Sequence, residues 1–87
     1  MHEATLMTGL MRQIAAIARA EGAARVTAVA VRIGALNHAS PEHLVEHFDQ
    51  ASIGTIAEGA RLMVTVSADI GEANAQEILL ESVEVES

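Results

Sequence analysis

The chain has 87 residues, enough for one domain, and is 51% hydrophobic and 20% charged, which suits a folded core and argues against disorder. Twelve acidic residues face five arginines and no lysine, so the net charge of −7 disfavours phosphate backbones and anionic membranes as partners. Cysteine is absent, which excludes disulfides, thiolate catalysis and cysteine zinc sites.

With one Phe and no Trp or Tyr, the core must be built from Val, Leu, Ile, Ala and Met. A domain this small buries only ~60% of the surface its unfolded chain exposes. Its stability margin is thin, and a partner or a weak homodimer contact would add to it. No segment reaches the ~20 apolar residues needed to cross a bilayer. The start is acidic and lacks a signal-peptide layout, so the chain reads as cytoplasmic.

The spacing from Thr5 to Ala20 predicts a helix. Leu6, Leu10, Ile14 and Ile17 form its apolar stripe, widened by Met7, Met11, Ala15 and Ala18. Gly22 is its natural stop. Arg25 to Gly34 reads as a strand with Val29, Val31 and Ile33 on one face, and Val26, Ala28, Ala30 and Arg32 on the other. Ser40-Pro41-Glu42 opens a second helix, from Pro41 to about Ile53, because serine caps, proline suits the first turn and glutamate favours the positive end. Leu44, Phe48 and Ala51 form its buried stripe.

Gly59 to Ser67 is a second strand, with Leu62, Val64 and Val66 together. Residues 68–77 have no clear period and read as a loop. Ile78 to Glu86 is a third strand with Leu79, Val83 and Val85 on one face, interrupted by Glu81. The order α-β-α-β-β implies an α/β (α+β) two-layer sandwich, with two helices packed on one face of a three-stranded mixed sheet. The open face would carry Ala28, Ala30, Arg32, Arg61, Thr65 and Ser82, small or polar residues suited to water.

The first three residues, Met-His-Glu, hold the most concentrated donor chemistry. A free terminal amine, the His2 amide and the His2 imidazole can close chelate rings on one ion, with the Glu3 amide next along. Tetragonal or square-planar nitrogen fields suit Ni(II) and Cu(II). The Glu3 carboxylate could serve as a further ligand or accept a bond from one. An initiator methionine is retained before a residue as large as histidine, so the arrangement should survive in a cell. Composition alone favours an ordinary polar pair on a solvated terminus; the position next to the amine favours the metal reading, and spacing alone does not settle between them.

His43 and His47 stand four apart on the second helix and can share one side. The order is not H-E-x-x-H, since Leu, Val and Glu follow the first histidine, and the pair also fits a solvated flank beside Leu44 and Phe48. His38 lies in the loop before this helix. No Gly-rich phosphate loop and no Ser/His/Asp arrangement is present, so nothing here supports an enzyme.

MHEATLM, RVTAVAVRIGAL, SPEHLVEHFDQASIGTIAEGARLMV and the closing SVEVE together resemble the HypA/HybF family of nickel-incorporation proteins of [NiFe] hydrogenase maturation. The resemblance runs over nearly the whole chain outside the loop around Asp69 to Glu77. It implies a metallochaperone with Ni(II) as cargo, bound through Met1, His2 and Glu3. It also implies a partner GTPase, delivery to the hydrogenase large-subunit precursor, and in some members a role in urease maturation. The family's zinc-binding lobe, with two CxxC pairs between the last two strands, has no counterpart here. About residues 68–77 occupy its place, so a zinc site of that type cannot form and the chain reads as a single nickel-binding domain, 1–87. A second class of reading keeps the fold without nickel transfer: a protein-interaction adaptor in assembly.

Overall fold

The computed structural model describes residues 3–87, with side chains from Leu6 onward. The elements are α1 (Glu3–Ala20), β1 (Arg25–Ile33), α2 (Pro41–Ala51), β2 (Arg61–Val66) and β3 (Ile78–Glu86), in the expected order. The sheet order is β2-β1-β3, with β1 parallel to β2 and antiparallel to β3. It is the mixed sheet the sequence implied. The parallel pair needs a crossover, and α2 supplies it.

One face of the sheet carries the core. Val26, Val29, Val31 and Ile33 of β1 meet Met7, Leu10, Ile14 and Ala18 of α1 and Leu44 and Phe48 of α2. The α1 stripe is therefore rotated from the expected one. Met7 and Ala18 sit at its centre, while Ile17 is left 39% exposed. The helix also begins two residues earlier than expected, and Gly22 ends it with φ +63°. α2 stops at Ala51, short of Ile53. Ser52 caps it, with its amide donating to Phe48 and Gln50, and Ala51 is exposed rather than buried.

Strict alternation fails at two places, for one reason. Thr27 is an extra residue on β1 between the pairs Val26↔Val85 and Ala28↔Glu84, and Glu81 is an extra residue on β3 between Ala30↔Ser82 and Val31↔Leu80. Each is a β-bulge, which shifts the side-chain phase by one. The first turns Val26 into the core, against expectation. The second puts Ile78 and Leu80 against the core and leaves Leu79 in register with Arg32 on the other face, not with Val83 and Val85 as expected. The bulges lie on opposite strands and cancel, so the original register is restored from Val31↔Leu80 onward.

β2 starts at Arg61, and at its far end Val66 is 55% exposed although Leu62 on the same face is buried. The open face also departs from expectation. Ala28 is only 6% exposed, flanked in register by the longer Arg61 and Glu84.

Because β1 lies between β2 and β3, residues 67–77 must pass the end of β1. They are held there. The amides of Gly34 and Leu36 donate to the carbonyls of Glu77 (2.8 Å) and Ala75 (2.7 Å), and Asn37 Nδ2 donates to the Gln76 carbonyl at 3.0 Å. Ala75 is buried.

Candidate metal centre

Met1 and His2 lie outside the described residues, and Glu3 is described only as the first residue of α1. The frame behind them is well defined. Leu6, Met7 and Leu10 of α1 line an apolar groove of about 280 Å³ with Leu44 of α2 and Ile78 of β3. Burial of Met7 and Leu10 fixes the first turns of α1 where the two helices and β3 meet. The first four amides of a helix have no intrahelical acceptor. The Glu3 amide, at the first position of α1, is therefore uncommitted to the helix ladder.

On α2, the Ser40 hydroxyl accepts from the His43 amide at 3.4 Å and donates to Glu42 at 2.9 Å. The Glu42 carboxyl is held below its ordinary value by its own backbone amide, then by Ser40, with a smaller contribution from His43. His43 is exposed and His47 half-buried. The fold brings this pair together: both line a shallow hollow of about 260 Å³ with Glu46 and Gln50. His38 does not line it. Among the described residues, no group of three or more His, Asp or Glu side chains is placed to hold a metal ion.

A charged cluster escaped the sequence reading. Arg32, expected on a water-exposed face, reaches Glu72 of the 67–77 segment at 3.3 Å and Glu81 at 3.8 Å. The Arg32 Nε and Glu72 Oε1 atoms are buried and make no hydrogen bond. The one signal available was Glu81 itself, a carboxylate breaking an apolar face. It marks the bulge and an arginine partner.

The other motif residues build loops. The Thr55 hydroxyl donates to the Ser52 carbonyl at 2.7 Å and accepts from the Ala57 amide at 3.1 Å. Glu58 accepts from the Gly54 amide at 3.0 Å. The loop so shaped offers the Ile56 carbonyl to the Val26 amide at 2.9 Å. No helix among the described residues is long and apolar enough to cross a membrane.

Comparison with known proteins agrees with this frame. The model of the family described as hydrogenase/urease nickel incorporation, metallochaperone, HypA matches residues 1–84. The hydrogenase maturation factor HypA of Archaeoglobus fulgidus is 44% identical over 71 residues, covering 80% of this chain and 64% of that protein. The HypA of Methylocella silvestris is 41% identical over 66 residues, covering 76% of this chain and 58% of that protein. The chain thus spans about three-fifths of the length of these curated relatives. The solution structure of the Ni metallochaperone HypA from Helicobacter pylori shares the fold, with TM-score 0.82 at 16% identity, covering 100% of this chain and 99% of that one. On the strength of the match from residue 1 to residue 84, this chain belongs to the HypA family of hydrogenase/urease nickel-incorporation metallochaperones.

Proposed function

We propose that this chain is a nickel-binding module that takes up Ni(II) at its amino terminus and passes it on during hydrogenase maturation. The observation that carries the reading is that the family match begins at residue 1 and so takes in Met1, His2 and Glu3. The ion is cargo, not a resident cofactor. The Met1 amine, the amide and imidazole of His2 and the Glu3 amide supply nitrogen donors within three residues, and Ni(II) suits such a field. The Glu3 carboxylate adds an oxygen donor or orients a ligand.

Electrostatics oppose and then favour this arrangement. A helix amino end carries partial positive charge, which disfavours a cation. Each displaced amide proton leaves a negative nitrogen, and the carboxylate and the net charge of −7 add to it. Binding strengthens as pH rises, because the amine, imidazole and amides must shed protons. Cu(II) binds more tightly than Ni(II) at the same donors, so selectivity comes from delivery.

Delivery would run through a partner GTPase to the large-subunit precursor, and transfer is the whole chemistry: no catalytic step is assigned to this chain. Residues 67–77 take the place of the zinc lobe, and without cysteine no CxxC zinc site contributes to these contacts. Calorimetry with Ni(II) on untagged protein against His2→Ala tests the reading. The expected result is loss of the tight binding event in the variant. Equal affinity and stoichiometry would refute terminal binding and favour an adaptor role instead.

A further inference from the structure

We propose that His43 and His47 form a second divalent-cation site on α2, separate from the amino terminus, which takes a borderline ion such as Zn(II) through two imidazoles with water completing the shell. Side chains four apart on a helix have Cβ atoms about 5–6 Å apart, close enough for two rings to reach one ion. The structure supplies the common space: both histidines line the same 260 Å³ hollow, together with Glu46 and Gln50. His47 is half-buried, so part of the cost of ordering its ring is already met by the fold.

The sequence order adds a second argument. Read from His43, the five residues run His-x-x-Glu-His, the reverse of the H-E-x-x-H order and itself a zinc-binding arrangement. Glu46 therefore stands beside the pair, on the wall of the hollow. His43 lies in the first turn of α2, where the helix end disfavours a cation. The carboxylates of Glu42 and Glu46 flank it and offset that charge.

The site would bind and release rather than catalyse. Catalytic zinc sites carry three protein ligands, and no third is placed here among the described residues. Leu44, beside His43, lines the groove shared with Leu6 and Met7. Through Leu44, the neighbour of His43 in sequence, the site adjoins the groove that α2 shares with the described first turns of α1.

Zn(II) calorimetry on the 87-residue chain carrying His2→Ala isolates this site, because the terminal imidazole is gone. One ion per chain is expected. Adding His43→Ala or His47→Ala should weaken uptake by about tenfold or more, or ~1.4 kcal/mol. The pair His47→Gln/Gln50→His keeps two imidazoles but sets them seven residues apart, roughly 10 Å along the axis, and should lose uptake equally. His38→Ala should not alter it. Circular dichroism of each variant confirms that α2 is retained. Absence of uptake with the pair intact, or unchanged uptake in the spaced variant, overturns the proposal. Neither result bears on Ni(II) binding at the terminus, which the wild-type and His2→Ala comparison reads separately.

Discussion

Gly34 and Ala75 approach so closely that no side chain fits between them. A methyl group at Gly34 would run into the Ala75 carbonyl, and the Asn74 carbonyl lies 2.6 Å from the same point. Both obstacles are backbone, so neither can swing aside. Gly34→Ala should therefore destabilise the fold by roughly 1–3 kcal/mol, as overpacking does. Urea unfolding would measure it, and a change within a few tenths of a kcal/mol would show that the 67–77 segment is not seated on β1.

Arg32 and Glu72 tie that segment to the sheet from the other side. Glu72 is part-buried, so removing it leaves a guanidinium in a half-dry place. A double-mutant cycle of Arg32→Met and Glu72→Gln should give a coupling of roughly 0.5–3 kcal/mol, the range for residues in contact. A coupling near zero would mean the pair is a surface contact of no energetic weight.

Phe48 is the one aromatic residue and is fully buried between the helices and the sheet. Phe48→Ala should cost about 3–5 kcal/mol. In a domain with total stability on the order of 5–15 kcal/mol, that is enough to broaden or abolish the thermal transition. A melting temperature lowered by only a degree or two would contradict the core described above.

Glu42 gives a pH dependence with a definite sign. Its carboxyl is held below the ordinary 4.5 by its own amide, Ser40 and His43, so the folded state binds that proton less readily than the unfolded chain. The stabilisation is complete above the ordinary carboxylate value and fades as pH falls through the lowered one. Wild type should therefore exceed Glu42→Gln in stability at neutral pH, and the gap should close in acid. A gap that widens in acid would contradict the capping geometry.

Much of this fold was legible because its helices obey simple periods and its caps use ordinary residues. Ser40-Pro41-Glu42 announced α2, and the glycine at 22 ended α1 where the pattern did. The sheet was harder. Alternation assigns faces only while register runs unbroken, and Thr27 and Glu81 each break it by one residue. Val26 and Leu79 were misplaced for that reason alone. The loop over residues 67–77 has no period, so its hold on Gly34, Leu36 and Arg32 was invisible. Gly34 read as a strand terminator, whereas its role is to let another backbone pass. At the candidate sites, local spacing was enough to pair His43 with His47, since a helix fixes neighbours four apart. The proposed donors of Met1, His2 and Glu3 rest on their chemistry and adjacency in sequence, and Met1 and His2 lie outside the described residues.

The most direct test of the central claim compares Ni(II) uptake by the chain with a free Met1 amine and by the same chain acetylated there. The free amine should give tight binding of one ion per chain, with an absorption band of planar nitrogen-coordinated Ni(II). Acetylation should remove both. Undiminished uptake by the acetylated chain would contradict the account.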